Sequence, residues 1–199
     1  PRGLMRALWF FPALLSGAVV GILWRIMYNY NNGVINKIIT SAGLPAVNWL
    51  ETRGVTNIAI IIGAAWVQIG LCVVVFLAGL QSIPQEMYEA ASIDGATKGR
   101  QFLSITIPLI SPVIFYNLVT QLVQAFQEFN GPYIITNGGP RNATTLISVI
   151  VYNTAFKDYK VGMSSAMAWV MFVIVMVLTV IAFVSQKKWV YYSDDDGRG

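Results

Sequence analysis

Residues 58–80 read IAIIIGAAWVQIGLCVVVFLAGL, a run without one charged side chain. Crossing the hydrocarbon core of a bilayer takes roughly 20 mostly apolar helical residues at about 1.5 Å each, so this stretch is long enough to span. Residues 162–186, GMSSAMAWVMFVIVMVLTVIAFVSQ, repeat the property. Working outward, two further segments reach a similar length. Spans are therefore expected at about 7–28, 56–80, 107–129 and 161–186. The whole chain of 199 residues is 56% hydrophobic and 11% charged, against about a quarter charged in soluble domains. The fold class is an all-α integral membrane bundle over residues 1–186, with a polar tail over 187–199 that ends in an acidic cluster, Asp194 to Asp196.

Individual residues refine the spans. Arg25 falls near the end of the first, where its stem can reach the interface, and Trp24 and Tyr28 beside it suit that interface. Pro108 and Pro112 are tolerated where the first turn of a helix has no N–H bond to lose, so the third span is expected to start near Ile107. Four spans put both ends and the 81–106 loop on one side. Seven Lys and Arg fall on that side and five on the other, which makes the loop and the ends cytoplasmic. The chain opens on Pro1 and runs into apolar sequence without a leader pattern, so it is expected to be a piece of a longer protein.

The net charge of +4 comes from scattered basic residues, a distribution that excludes a nucleic-acid stripe. Histidine is absent and Cys72 is the only cysteine, which removes zinc sites, internal disulfides and His-based triads. No catalytic site and no metal are expected.

Between the second and third spans lies SIPQEMYEAASIDGATKGRQFLSITIPLISP, residues 82–112. Ser82 and Gln85 have capping-box spacing, and Pro84 falls in a first turn. Ile83, Met87, Ala90 and Ala91 recur at helical steps and form one apolar face. Asp94-Gly95 ends that helix, and Gly95 can take the left-handed conformation that reverses the chain into a second helix over about Thr97 to Ser104. On physical grounds alone this is a projecting elbow or a well-capped linker.

The loop resembles the EAA motif of the permease subunits of type I ABC importers, in which EAA is followed after three residues by G, and after nine more by I, any residue, L and P. Glu89, Ala90, Ala91, Gly95, Ile105 and Pro108 fall in that register, with Ile107 in place of Leu. The likeness is strongest to the sugar-type branch, which includes maltose, lactose and glycerol-3-phosphate permeases. It extends through Pro45, Asn48 and Trp49, the TNGGP stretch of residues 136–140, and Tyr152, Phe156, Gly162 and Ala166. The chain departs from the branch at Gly99, often aromatic, and at Ser104, often basic. The resemblance implies a type I importer transmembrane domain of about six spans, with the first two outside this chain. It implies a multi-pass protein of the bacterial plasma membrane, with a second permease subunit, a cytoplasmic ATPase dimer and an external or periplasmic solute-binding protein as partners and a sugar-like solute as cargo. It further implies that Glu89, Ala90, Ala91, Asp94, Gly95, Phe102, Ile105 and Pro108 carry the coupling to the ATPase, and that Thr136, Gly138, Gly139 and Pro140 belong to the external mouth. On physical grounds those four residues form a tight turn.

Asn117, Gln121, Gln124 and Glu128 advance by four, three and four residues, which stacks them on one face of the third span. Gln68 stands alone inside the second. Polar groups avoid lipid, so this face looks either at a solute path, where amides can donate and accept to sugar hydroxyls, or at a neighbouring helix, where they merely hold the bundle. Gly17 and Gly21 have the GxxxG spacing of a helix contact. Asn142-Ala143-Thr144 matches a glycosylation sequon by coincidence. The chain contains no GxxxxGK[ST] loop, so no cofactor is expected on it and ATP would be used by a partner. The alternative is a secondary transporter or membrane assembly subunit that uses no ATP, which would typically carry ionisable groups at mid-membrane; only Arg25 and Glu128 come close, both near span ends.

Overall fold

The computed structural model describes residues 2–192; the acidic tail from residue 193 onward, with Arg198, lies outside the described residues. Every regular element among the described residues is helical. The helices are α1 (Arg2–Phe10), α2 (Gly17–Met27), α3 (Val34–Ser41), α4 (Val55–Gln81), α5 (Gln85–Ile93), α6 (Lys98–Gln101), α7 (Ile107–Gln127), α8 (Ile147–Phe156) and α9 (Val161–Gln186). Three helical stretches are long and apolar enough to cross a membrane: α4, the run from Lys98 to Ile135 that contains α7, and α9.

The apolar stretch 7–28 is not one helix. A short 3-10 turn, Phe11–Leu14, follows α1, Leu15 is extended, and α2 starts afresh behind Ser16, whose Oγ accepts from Val19 N at 3.4 Å. Pro12 has no N–H to continue the ladder, and Ser16 offers the next helix a cap. At 11 residues, α2 is about 17 Å long and does not reach across a hydrocarbon core by itself. Uniform apolarity had concealed this break.

The third span's helix, Ile107–Gln127, starts where expected, but its start is not a free helix end. Thr97 caps α6, accepting from Arg100 N, but no separate helix ends at Ser104. The backbone continues through a widened π-type turn, Phe102–Thr106, in which Ile107 N reaches back to Phe102 O, and runs on into α7. Pro108 and Pro112 are thus not in a first turn. The widened turn precedes Pro108, whose ring would crowd the Ser104 carbonyl in a regular helix. Pro112 sits inside α7 and deprives Pro108 O of its partner; Ser111 Oγ donates to that oxygen at 2.6 Å instead.

The described residues form two compact units, 2–71 with 124–174, and 72–123 with 175–192. In the first, Val20, Trp24, Tyr28, Ala59 and Ile135 form the buried cluster, with Trp49 and Trp66 against it. Trp24 stacks on Tyr28 at 5.1 Å and meets Trp66 edge-on at 5.7 Å. Neither Trp24 nor Tyr28 is therefore the interfacial anchor that the sequence implied; both are core residues, and Tyr28 Oη donates to Ala59 O at 3.0 Å. Arg25, between them in sequence, is exposed.

Glycines set the close approaches. A Cβ on Gly17 would lie 2.3 Å from Asn130 Nδ2 and one on Gly21 2.9 Å from Ile134 Cβ, so this pair does mark a contact, against the 130–135 segment. In the second unit, Gly79 admits Val113 in the same way, and Phe115 packs edge-on against Phe183 and Trp189.

Candidate functional site

The elbow is built from α5, a turn and α6. Its first helix begins at Gln85, yet Ser82 is not its cap: Ser82 Oγ donates to Gly79 O at 2.8 Å, and Pro84 occupies the cap position without a side-chain bond. Having a fixed φ near the observed −60°, Pro84 starts the helix by conformation. Gly95 closes it at φ +75°, with nothing within 4 Å of where a Cβ would be. The demand for glycine here is conformational rather than steric. Gln101 ties the two arms together, Nε2 donating to Ser92 Oγ at 2.9 Å and Ala96 O at 3.1 Å. At the root, Tyr88 and Thr106 hydroxyls are 2.8 Å apart.

Glu89, Ala90, Asp94 and Gly95 are exposed on this elbow, whereas Ala91, Ile105 and Pro108 are half-buried. The expected apolar face is only partly covered, Ile83 and Ala91 turning inward while Met87 and Ala90 stay in the open. Ile93 is 87% exposed and Phe102 52%. A hollow of about 300 Å³ lies in the crook, lined by Ala91, Asp94, Ala96, Arg100, Gln101, Ser104 and Ile105. Apolar side chains held out on a rigid, hydrogen-bonded turn are the features of a docking surface.

The polar residues of the spans separate into four environments. Asn117 is buried and turned back on its own helix, Nδ2 donating to Val113 O at 3.0 Å. Gln121 Nε2 meets Cys72 Sγ at 3.5 Å. Gln68 Nε2 donates to Gln124 Oε1, joining α4 to the last turns of α7. Glu128 lies just past α7, and its Oε1 accepts from Gly131 N at 2.9 Å.

Gln68 and Glu128 also share a pocket of about 150 Å³ with Trp24, Asn130 and a floor of Gly17, Gly21, Gly63 and Gly131. Trp24 Nε1, buried, has no hydrogen-bond partner. Asn117, Gln121 and Gln124 do not line this pocket, whereas Trp24, which the sequence assigned to the interface, and Asn130 do. Only the packing around the two helix-facing glycines could reveal them.

TNGGP is a tightly bonded turn. Asn137 and Gly138 have positive φ, Gly138 N donates to Pro132 O at 3.0 Å, and Gly139 N to Thr136 O at 3.0 Å. Thr144 Oγ1 donates to Gly139 O at 2.8 Å and lies 2.7 Å from Thr136 Oγ1. The sequon threonine is thereby buried in the turn.

Comparison with known proteins agrees with this architecture. Residues 2–189 match the family described as binding-protein-dependent transport system inner membrane component. The chain is 39% identical over 195 residues to the probable ABC transporter permease protein YesP of Bacillus subtilis, covering 96% of this chain and 62% of that protein. It is 39% identical over 181 residues to the trehalose/maltose transport system permease protein MalF of Thermococcus litoralis, covering 90% and 61%. Against the sn-glycerol-3-phosphate transport system permease protein UgpA of Agrobacterium fabrum the identity is 36% over 192 residues, covering 96% and 65%. The chain thus spans somewhat under two thirds of the length of these relatives. Its fold is similar, at a TM-score of 0.80 and 23% identity, to a chain in the crystal structure of a bacterial ABC transporter involved in the import of the acidic polysaccharide alginate, covering 94% of this chain and 66% of that one. With its apolar helices and its matched register over nearly all its length, the chain belongs to the binding-protein-dependent transport system inner membrane components.

Proposed function

We propose that this chain is the larger part of a permease subunit of an ATP-driven importer that moves a sugar or related small solute across the cytoplasmic membrane. The observation that carries the reading is the α5–α6 elbow: a glycine-hinged, internally bonded turn in EAA register that holds Ile93 and Phe102 out of the chain's own packing. Such a surface suits a groove on a separate ATPase, whose closure on ATP binding would move the elbow and switch the side from which the solute is reached. In this reading the chain carries no catalytic site, and its partners are an ATPase dimer, a second permease subunit and a solute-binding protein. Several relatives are named for neutral or phosphorylated polyhydroxy solutes, which supports a solute of that general kind. The pocket of Gln68, Trp24, Glu128 and Asn130 offers donors and acceptors suited to hydroxyl groups.

The hinge supplies the test. At φ +75° an L-residue is strained by about 1–2 kcal/mol, and proline, fixed near −65°, cannot be accommodated. Gly95→Asp or Gly95→Pro in the complete subunit is expected to abolish solute uptake while leaving membrane insertion intact. Normal uptake by either variant would contradict the coupling role.

A further inference from the structure

We infer that the Glu128 carboxylate makes the pocket beside Trp24 selective for uncharged polyhydroxy solutes over anionic ones of the same size. This rests on the sugar-permease reading and deepens it by a charge rule.

Among the described residues, Glu128 is the only charged one that lines the pocket. Its Oε1 accepts a single backbone bond, from Gly131 N, and no Lys or Arg among the lining residues offsets its charge. Trp24, which lines the same pocket, carries a buried indole N–H with no acceptor among the described residues, and the residue is only 8% exposed. An unpaired buried donor is costly and calls for an oxygen. A polyol can answer both groups, one hydroxyl accepting from the indole and another donating to the carboxylate. A uronate or phosphate could accept from the indole as well, but it would bring a second negative charge beside Glu128, and like charges repel. Gln68, whose amide nitrogen is committed to Gln124, and Asn130 add neutral polar atoms and do not alter the charge balance. The alginate transporter of similar fold imports an acidic polysaccharide, so the shared architecture leaves the sign of the cargo open and the residues of this pocket decide it.

The experiment uses the complete subunit assembled with its partners in lipid nanodiscs, without the solute-binding protein, so that only the membrane pocket selects. Saturation-transfer NMR compares glucose, mannose and galactose with the uronic acid counterpart of each, in wild type, Glu128→Gln and Trp24→Phe. Wild type is expected to bind at least one neutral monosaccharide about tenfold or more tightly than its acidic counterpart. Glu128→Gln should shrink that gap to about threefold or less, and Trp24→Phe should weaken neutral binding without changing the ratio. Equal binding of acidic and neutral sugars by wild type, or an unchanged gap in Glu128→Gln, overturns the charge rule. ATP-driven uptake of neutral sugars into proteoliposomes, with the solute-binding protein restored, that is untouched by both substitutions overturns it as well and leaves the permease reading standing. Absence of both binding and uptake for every sugar overturns the sugar reading, and the charge rule with it.

Discussion

Asn36 is buried within α3 and makes four hydrogen bonds with one amide. Its Nδ2 donates to Tyr30 O at 3.0 Å and Val47 O at 2.9 Å, while Oδ1 accepts from Val47 N and Trp49 Nε1, both at 3.1 Å. It therefore organises the loop between α2 and α4 and sets Trp49 against Tyr28 at 5.4 Å. Asn36→Leu fits the volume but strands two carbonyls and two N–H groups, each costing about 1–3 kcal/mol if no water replaces the bond. The expected result is a fall in thermal stability in detergent equivalent to at least about 2 kcal/mol, followed by tryptophan fluorescence; an unshifted transition would contradict the role. Nothing in VINKIITS announces this function. A single asparagine in a short amphipathic helix reads as surface, because its partners lie 6 to 13 residues away along a loop with no regular period. Trp24 was assigned to the interface for a different reason, since an indole near the end of an apolar run suits an interface as well as it suits a core.

Among the elements, the two uninterrupted spans were legible almost to the residue: 56–80 became Val55–Gln81 and 161–186 remained Val161–Gln186. Both lack proline and charge, so length and hydropathy suffice. The first and third segments were less legible because their shape is decided by backbone bonds that hydropathy does not register. Pro12 and Ser16 break one; Pro108 and Pro112 reshape the other without breaking it. Ser111 shows how the repair works. Its hydroxyl donates to the carbonyl freed by Pro112 and accepts from Tyr191 N at 2.8 Å, tying the segment after α9 to α7. Ser111→Ala removes both bonds, at a cost of about 1–3 kcal/mol, and should raise the rate at which protease cleaves residues 187–192 by several-fold, whereas Ser111→Thr should preserve protection. Equal cleavage of the alanine variant and wild type would mean that the bridge is dispensable. The elbow was read in register from its spacing, but its capping was not, since Ser82 satisfies the end of α4 rather than the start of α5.

For the whole molecule, composition pointed to a membrane protein before any element was placed, and the family match over residues 2–189 agrees. What sequence could not order was the polar inventory. Gln68, Asn117, Gln121, Gln124 and Glu128 look alike on a helical wheel, yet one bonds its own helix, one meets Cys72, and Gln68 and Glu128 line a pocket. The same physical chemistry makes a prediction about assembly. α9 keeps only 6% of its most apolar window covered within the chain, and the elbow carries Ile93 in the open, so lipid and partner subunits are expected to cover them. Mild-detergent purification of the full-length tagged subunit should bring down an ATPase and a second permease in stoichiometric amounts, as judged by mass spectrometry. A subunit that transports while purifying alone would contradict the importer reading.

The length of α4 has a consequence of its own. At 27 residues it is about 40 Å long, against roughly 30 Å for an average hydrocarbon core. Its uniformly apolar part, residues 58–80, is about 35 Å long, and with no proline to kink it the helix meets a thinner bilayer by leaning, by thickening the lipid around it or by setting its polar ends among the headgroups. The chain is thus matched to membranes of a given thickness, and acyl-chain length joins its surroundings as a variable that bears on how α4 stands.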